Sequence, residues 1–185
     1  MSRSDIESRS DWLSKASILT DALPFMRRYA DSRVVVKFGG HAMGDDDLFN
    51  TFASDMVLLR QVGTNPIVVH GGGPQIGQML ERMAIKSEFV DGLRVTDKTT
   101  VEIVEMVLAG SINKSIVAAI NKSGGKAVGI SGKDANLLTV KKLMRKSLDS
   151  DSNIEKVTDL GFVGDPKSVD SKLINTLISD GFIPV

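Results

Sequence analysis

The sequence predicts an α/β fold, a three-layer sandwich in which helices cover both faces of a mainly parallel sheet. Short apolar runs typical of strands alternate with amphipathic helical segments along the 185 residues. Clusters of glycine follow two of these runs directly, at residues 39–40 and 71–73. Because parallel strands need a long crossover, commonly a helix, the repeated order of strand, glycines and helix indicates a βαβα unit.

The composition is that of an ordinary globular protein. Hydrophobic residues make up 42% and charged residues 25%, which excludes a mainly disordered chain, a fibre and a membrane bundle. With 23 basic and 23 acidic residues the net charge is zero, so we expect no nucleic-acid or membrane partner. The chain has no cysteine, which excludes disulfides and thiolate metal sites.

The sequence shows no targeting or membrane-spanning segment. Residues 1–10 are polar and lack the apolar centre of a signal peptide. The longest purely apolar runs fall far short of the ~20 residues needed to cross a bilayer. We therefore expect a cytoplasmic protein.

Residues 1–30 are expected to form an extension in front of a domain at residues 31–185. Residues 1–10 are predicted to be disordered. From residue 11 onward, apolar side chains recur at steps of three or four, which indicates an amphipathic helix that Pro24 should kink or split. This helix either packs on its own domain or serves as an interaction arm, and the pattern alone leaves both open.

The first half of the domain is predicted from local patterns. Aspartates at residues 45–47 cap a helix, Pro74 suits a first helical position, and Asp91-Gly92 is typical of a hairpin turn. The predicted elements are, in order, a buried strand at 34–38, a helix at 45–61, a strand at 67–69, a helix at 74–84 and a hairpin at 85–95.

The second half is predicted in the same way. Thr99 is expected to cap a long helix that glycines at residues 124–125 stop. The predicted elements are a helix at 99–123, strands at 127–130 and 137–140, a polar loop or exposed hairpin at 141–159 and a helix at 171–181. Residues 182–185 are apolar and strand-like, an unusual end for a chain, so we expect that part of the fold is missing.

Lys37 with Gly39 and Gly40 forms the first candidate site. A lysine within a run of valine and phenylalanine is costly to bury unless an anion receives it. The glycines that follow let backbone N–H groups converge on such an anion. The alternative, an edge-strand lysine before an ordinary turn, has about equal weight.

Gly72 and Gly73 form the second candidate site, within the cluster at residues 71–73. The predicted helix that follows points its positive end at these glycines. The pattern is neither a P-loop nor a G-x-G-x-x-G motif. Because ligands bind at the carboxyl ends of parallel strands, we infer one anion shared between the two glycine clusters.

Arg94 is a candidate carboxylate clamp, because the apolar residues on either side of it predict a guanidinium held in one orientation. A surface salt bridge with Asp97 is the simpler alternative and is favoured without other evidence. His41 and His70 are interpreted as wall residues, because no group of residues shows metal-ligand spacing. A cysteine nucleophile and a serine-hydrolase elbow are absent from the sequence.

Four segments carry a resemblance to a known family: residues 36–43 (VKFGGHAM), 67–74 (IVVHGGGP), 92–97 (GLRVTD) and 104–114 (VEMVLAGSINK). Together they resemble the amino-acid kinase family, and the last two are similar to its members that phosphorylate N-acetyl-L-glutamate. The resemblance covers residues 19–185. It implies an enzyme of arginine biosynthesis that transfers a phosphoryl group from ATP, with Mg²⁺, to the γ-carboxylate of N-acetyl-L-glutamate.

The resemblance also implies a role for each candidate residue. Lys37 would be catalytic and stabilise the phosphoryl group in transfer. Backbone N–H groups at Gly39 and Gly40 would hold ATP phosphate oxygens. Gly72 and Gly73 would bind the acceptor carboxylate, and Arg94 its α-carboxylate. No metal-ligating side chain is implied.

Partners and a further lobe are implied as well. Members of the family that arginine inhibits carry an N-terminal helix that joins dimers into a hexamer, and residues 25–29 (FMRRY) resemble it. A C-terminal lobe grips the nucleotide in the family, and its asparagine-rich segment and second catalytic lysine have no counterpart here. We therefore expect the N-terminal, acceptor-binding lobe, with impaired activity. The alternative is a non-catalytic acceptor-binding or oligomerisation module derived from such a kinase.

Overall fold

The computed structural model describes residues 9–148 and 155–185. The helices are α1 (Arg9–Tyr29), α2 (Asp46–Gln61), α3 (Gly73–Arg82), α4 (Lys98–Glu105), α5 (Asn113–Lys122) and α6 (Lys172–Ser179). The strands are β1 (Arg33–Phe38), β2 (Asn65–His70), β3 (Phe89–Val90), β4 (Leu93–Arg94), β5 (Ala127–Val128), β6 (Leu138–Leu148), β7 (Glu155–Val169) and β8 (Ile183–Pro184). A π-helical segment (Met106–Ile112) joins α4 to α5, and short 3₁₀ turns cover Gly40–Met43 and Asp134–Asn136.

Parallel strand pairs form the centre of the fold. β1 pairs with β2 from Arg33 opposite Asn65 to Phe38 opposite His70. β5 pairs in parallel with β8, and β8 runs beside β2. The antiparallel pairs β3–β4 and β6–β7 are hairpins attached to this centre. The predicted α/β fold with a mainly parallel central sheet is confirmed.

The hydrophobic core lies on one face of the β1–β2 pair, between these strands and four helical segments. Phe38 stacks on Phe52 of α2 with the ring centres 4.0 Å apart and meets Phe49 edge to face. Other core members come from β2, α2, α3 and the helical stretch at residues 98–122, among them Val68, Met56, Leu80, Ile103, Ile116 and Ile120. Ala127 of β5 and Ile183 of β8 belong to the same core. The last helix, α6, packs against β8.

The prediction that the first strand is buried is wrong for one of its faces. Exposure alternates along β1, and Val35 is 66% exposed while Phe38 is buried. Val69 of β2 is also exposed on that second face. A continuous apolar run indicates a strand, but burial depends on what the tertiary structure places over each face.

The long helix predicted at 99–123 forms as one helical stretch, but Asp97 rather than Thr99 is its N-cap. The Asp97 carboxylate accepts a hydrogen bond from the Thr100 amide at 2.7 Å. Lys98–Lys122 is the one helix among the described residues that is long and apolar enough to cross a membrane by length and composition, a test that core helices also pass. Its apolar side contributes Ile116 to the hydrophobic core.

The N-terminal helix runs from residue 9 to residue 29 without splitting at Pro24. Proline lacks the N–H group of one main-chain hydrogen bond, yet the helix continues through this position. Large apolar side chains on α1, among them Trp12, Ile18 and Phe25, are exposed. The prediction of disorder at residues 1–10 is wrong for residues 9 and 10, which form the start of α1. Residues 1–8 lie outside the described residues.

The predicted hairpin at 85–95 forms, and of the two alternatives for residues 141–159 the structure has the hairpin. The first turns at Asp91 and Gly92, which both have positive φ angles. The second is longer than predicted, because β6 and β7 extend the strand expected at 137–140 through the charged region. Residues 149–154 of that region lie outside the described residues.

The Asp97 cap of α4 should make the free energy of unfolding depend on pH in the acid range. Hydrogen bonds lower the pKa of Asp97 below its ordinary 3.8, and the bond from the Thr100 amide makes the largest contribution. A lowered pKa in the folded state means that the stabilisation is present above pH 3.8 and is lost as the pH falls through the folded pKa. Asp97→Asn should therefore melt at a lower temperature at neutral pH, and the difference should shrink below pH 4.

Thermal unfolding followed by circular dichroism from pH 7 to pH 2.5 measures this difference. Asp55→Asn is the matched control, because Asp55 is an exposed aspartate in the middle of α2, away from the helix N-terminus. A melting difference for Asp97→Asn that stays constant through the acid range would contradict the capping role.

Candidate functional site

Two glycine loops, residues 39–40 and 71–73, meet at one edge of the sheet. β1 and β2 end at the same level, where Phe38 lies opposite His70. The Gly71 amide donates a hydrogen bond to the Phe38 carbonyl oxygen at 3.2 Å. A Cβ atom built on the first residue of the 39–40 loop would lie 3.9 Å from the same amide nitrogen. The two loops therefore lie side by side, as expected for neighbouring parallel strands.

Lys37 and Gly40 lie just before and within the first loop. Lys37 is in register with Val69 and its side chain is exposed, so the ammonium group pays no burial cost. Gly40 has a φ angle of +68°, which only glycine adopts without strain, and it opens a 3₁₀ turn. The first loop thus combines a solvent-accessible positive charge with a tight backbone turn.

The second loop is packed tightly against the π-helical segment. A Cβ atom on Gly72 would lie 2.5 Å from Ile112 Cδ1 and 2.6 Å from Leu108 Cδ2. Gly72 is buried, and α3 begins at the next residue, Gly73. The helix N-terminus therefore directs backbone N–H groups and the positive end of its dipole toward this loop. π-helical turns often occur at functional sites, and this one supplies both contacts to Gly72.

Gln75 was not singled out by the sequence. Its Oε1 atom, in the first turn of α3, is the one buried side-chain polar atom of the described residues that lacks a hydrogen-bond partner. Buried acceptors are nearly always paired, so this oxygen fits a place where a ligand or a water molecule supplies the donor. Pattern analysis gives no reason to prefer this glutamine over any other in a first helical turn.

Arg94 lies on β4 and makes its contacts within its own hairpin. Its guanidinium carbon is 4.6 Å from the ring centre of Phe89, and one nitrogen donates to Ser87 Oγ. The alternative salt bridge to Asp97 does not form, because that carboxylate caps α4 through the Thr100 amide. Within residues 9–148 and 155–185, no hydrogen bond joins Arg94 to either glycine loop.

A buried asparagine ties the end of β2 to the end of β8. Asn113 is 2% exposed, and its Nδ2 donates to the Val185 carbonyl oxygen at 2.9 Å. The same Nδ2 lies 3.5 Å from His70 Nε2, while His70 Nδ1 lies 3.0 Å from the Gly71 carbonyl oxygen. Since a carbonyl only accepts, this pairing places the imidazole proton on Nδ1. Asn113 thus reaches the second glycine loop through His70.

The loop after β5 joins the hydrogen-bond network around Asn113. Lys114 Nζ donates to Asn113 Oδ1 at 3.1 Å and to the Gly129 carbonyl oxygen at 3.2 Å. A Cβ atom on Gly129 would overlap the asparagine side chain, so only glycine fits there. The Ser131 amide and hydroxyl hold the pKa of the Asp134 carboxyl below its usual range, with a further contribution from Lys114. Asn113 lies in the segment at 104–114, where a polar residue on an apolar helix face could have indicated it.

A cavity of about 220 Å³ opens beside this network, at the carboxyl ends of β2 and β8. Its walls are mainly apolar and include Ile67, Ile174 and Val185, with His70 among the lining residues. A larger cavity of about 410 Å³ lies between α4 and the β6–β7 hairpin, away from the glycine loops. The smaller cavity is therefore the one that belongs to the candidate site.

Among the described residues, metal-binding side chains do not gather at this edge. Within the described part of the chain, no group of three or more histidine, aspartate or glutamate residues could hold a metal ion. The chemistry available here is that of backbone N–H groups, a helix N-terminus and single positive charges. Such groups bind and neutralise anions.

Comparison with known proteins assigns a family. The model of the family described as "Amino acid kinase family" matches residues 32–185. A protein named acetylglutamate kinase from Rhodospirillum centenum is 66% identical over 96% of this chain and 58% of its own length. Its namesake from Azorhizobium caulinodans is 57% identical over 100% of this chain and 62% of its own length. The chain thus spans about 58% to 62% of the length of these two curated relatives.

Solved structures share the fold. N-acetylglutamate synthase from Neisseria gonorrhoeae, complexed with coenzyme A and N-acetyl-glutamate, matches with a TM-score of 0.69 at 21% identity, over 91% of this chain and 36% of that chain. The structure of smu.665 from Streptococcus mutans UA159 matches with a TM-score of 0.64 at 23% identity, over 82% of this chain and 56% of that chain. These likenesses concern the fold alone.

The close approach at Gly72 predicts a specific steric cost. Gly72→Ala should lower the free energy of unfolding by roughly 1–3 kcal/mol, the usual cost of overpacking a well-filled interior. Gly73→Ala should cost much less, because no atom lies within 4 Å of its Cβ position. Urea unfolding of both variants measures the difference.

A second substitution tests the cause. Ile112→Val removes the Cδ1 atom that Gly72→Ala would strike, so the double variant should recover part of the lost stability. A double-mutant cycle with no coupling between the two positions would contradict the packing described here.

Proposed function

This chain belongs to the amino acid kinase family, and on that basis we propose that the whole protein is an ATP-dependent acetylglutamate kinase. It would transfer a phosphoryl group to the γ-carboxylate of N-acetyl-L-glutamate, early in arginine biosynthesis. Curated relatives of that name at 57% to 66% identity support the substrate assignment. The observation that carries the chemistry is that two glycine loops lie side by side at the carboxyl ends of β1 and β2. We further propose that residues 31–185 are the acceptor-binding lobe and residues 1–30 an extension.

On the phosphoryl side we assign Lys37, Gly39 and Gly40. The exposed Lys37 ammonium would neutralise oxygens of the phosphoryl group as it is transferred, so it is the proposed catalytic residue. Backbone N–H groups at Gly39 and Gly40 would hold ATP phosphate oxygens, which the tight turn at Gly40 favours. The acceptor is a carboxylate and is ionised at neutral pH, so the reaction needs no general base. Catalysis then consists of positioning and charge neutralisation.

On the acceptor side we assign Gly72, Gly73 and Arg94. The N-terminus of α3 would bind the reacting carboxylate through the backbone at Gly72 and Gly73. Arg94 would bind the α-carboxylate in bidentate fashion, and its stacking on Phe89 limits the orientations of the guanidinium plane. The two ends of N-acetyl-L-glutamate would thus be held by separate positive groups.

ATP is the proposed co-substrate, with Mg²⁺. The described residues offer no cluster of carboxylates that fits a protein-held Mg²⁺, so no step is assigned to the ion here. When present, Mg²⁺ is commonly carried on nucleotide phosphates with only one or two carboxylate ligands.

We also propose a homo-oligomeric, cytoplasmic enzyme. Exposed apolar side chains along α1 favour the interaction-arm alternative, in which this helix joins dimers into a hexamer. Arginine is the proposed feedback inhibitor, as in family members that carry such a helix. The zero net charge supports the absence of nucleic-acid and membrane partners.

The phosphoryl and acceptor roles predict opposite kinetic effects in the protein expressed from its complete coding sequence. Lys37→Ala should lower kcat roughly 10²- to 10³-fold with little change in KM, because it removes a charge used in the transition state. Arg94→Ala should raise KM for N-acetyl-L-glutamate roughly 10- to 100-fold, the cost of a lost charge-assisted hydrogen bond.

Steady-state kinetics with each substrate varied in turn measures both effects. Lys122→Ala, at the exposed end of α5, is the charge-matched control and should behave as the wild type. The reverse pattern, with Lys37→Ala raising KM and Arg94→Ala lowering kcat, would refute the role assignments.

The 185-residue chain by itself should have little or no kinase activity. It matches 58% of the length of its Rhodospirillum centenum relative. The family resemblance implies that the nucleotide is gripped by a C-terminal lobe, whose asparagine-rich motif does not occur among these 185 residues. Turnover of ATP with N-acetyl-L-glutamate near a typical enzyme rate of ~10 s⁻¹ would contradict this prediction.

Calorimetry with the two substrates added separately distinguishes the proposed kinase lobe from a non-catalytic module. The observation in favour of the module is that both glycine loops and Arg94 lie within this chain. Binding of N-acetyl-L-glutamate to the 185-residue chain without binding of ATP supports an acceptor-binding unit. ATP turnover by the complete gene product then decides whether that unit belongs to an active kinase.

A further inference from the structure

The backbone that carries Arg94 is anchored by the β6–β7 hairpin. The Thr96 amide donates to the Leu160 carbonyl oxygen at 2.9 Å, and the Phe162 amide donates to the Thr96 carbonyl oxygen at 2.7 Å. Both backbone groups of Thr96 are therefore bound to one short stretch of β7. Thr96 Oγ1 in turn donates to the Arg94 carbonyl oxygen at 2.9 Å. Since β4 has only two residues, this anchor is a major support for the position of Arg94.

The stretch of β7 that binds Thr96 is an irregularity within the hairpin. Lys142 pairs with Gly164 and Met144 pairs with Asp159, so residues 160–163 face a single residue of β6. Such a bulge releases backbone groups from the ladder and redirects them. Leu160 is fully buried and fixes the bulge against the domain. The freed backbone groups are the ones that bind Thr96.

Gly161 lies at the centre of this bulge and must be glycine. Its φ angle is +76°, and a Cβ atom there would lie 2.8 Å from the Thr96 carbonyl carbon and closer still to the carbonyl oxygen. Those atoms are backbone and cannot rotate away as a side chain can. The Gly161 amide is held at 2.8 Å by Asp159 Oδ1, and Lys142 Nζ donates to Asp159 Oδ2 at 2.6 Å.

We infer that Gly161 is a positioning residue for the acceptor site, because its lack of a side chain lets β7 hold Thr96 and, through it, Arg94. This inference rests on the proposed function in that Arg94 is taken to bind the α-carboxylate. The role assigned to Gly161 involves no contact with substrate. Its replacement should displace Arg94 while leaving Lys37 and the glycine loops, which lie on β1, β2 and α3, in place.

The test is Gly161→Ala in the protein expressed from its complete coding sequence. KM for N-acetyl-L-glutamate should rise roughly 10-fold or more, while kcat and KM for ATP change by less than about twofold. Gly77→Ala is the matched control, because no atom lies within 4 Å of its Cβ position, and its kinetics should be those of the wild type. An unchanged KM for N-acetyl-L-glutamate in folded Gly161→Ala would overturn the inference, as would an equal loss for both substrates.

An acceptor without the α-carboxylate distinguishes positioning from a general structural effect. N-acetyl-4-aminobutyrate keeps the γ-carboxylate but gives Arg94 no carboxylate to bind. The rise in KM caused by Gly161→Ala should therefore be much smaller with this acceptor. An equal rise for both acceptors would show that the substitution acts elsewhere in the site and would overturn the inference.

Amide hydrogen exchange gives a readout that needs no substrate. Gly161→Ala should speed exchange of the Thr96 and Phe162 amides and leave the β1–β2 amides protected. Should Gly161→Ala not fold, Asp159→Ala replaces it, because it removes the acceptor of the Gly161 amide without adding an atom. A raised acceptor KM in Asp159→Ala supports the inference, and an unchanged one overturns it. Wild-type protein without kinase activity overturns the proposed function, whereas an active wild type with unaffected variants overturns this inference alone.

Discussion

The candidate site depends on the parallel pairing of β1 with β2 to a common end. Phe38 and His70 are opposite each other at the last step of the ladder, so both strands turn at the same level. Burial of the Phe38 ring against Phe52 determines which face of β1 is inside, because a slip by one residue would expose it. The same alternation places Lys37 outside, where its charge stays solvated. Pairing, burial and charge exposure are thus three consequences of one strand register.

The shape of the second glycine loop depends on elements that are distant in the sequence. Leu108 and Ile112 press on Gly72, and Asn113, the next residue, binds the end of β8 and His70. The buried Asn113 side chain holds these groups in place, because an unpaired polar group is costly in a low-dielectric interior. The loop is therefore held from the side by one helical stretch, while its own glycines leave the backbone free to approach an anion.

The two halves of the proposed site differ in how they are supported. Lys37 and the glycine loops belong to the central strands and to α3, which share the hydrophobic core. Arg94 belongs to a peripheral hairpin, and its support comes from the bulge of β7 through Thr96. The proposed phosphoryl-binding and acceptor-binding halves therefore have separate supports in the fold.

The sequence alone was sufficient for the α/β class, for most helices and strands and for the adjacency of the glycine loops. These features follow from local patterns, namely apolar periodicity and turn residues, and from the geometry of parallel strands that end together. It also predicted Lys37, Gly72 and Arg94 as candidate residues, with roles that remain proposals. The N-cap of the long helix was predicted wrongly as Thr99. Aspartate and threonine are both suitable N-caps, and the cap is Asp97 because α4 begins at Lys98.

Only the tertiary structure decided which faces are buried and which distant groups meet. Val35 is exposed although its sequence neighbours indicate a buried strand. Asn113 binds the Val185 carbonyl oxygen, and Gly161 packs against the backbone of Thr96. The Oε1 atom of Gln75 is buried in the first turn of α3. Local patterns hold no information on such pairings, because the partners are far apart in the chain and come together only when the core packs.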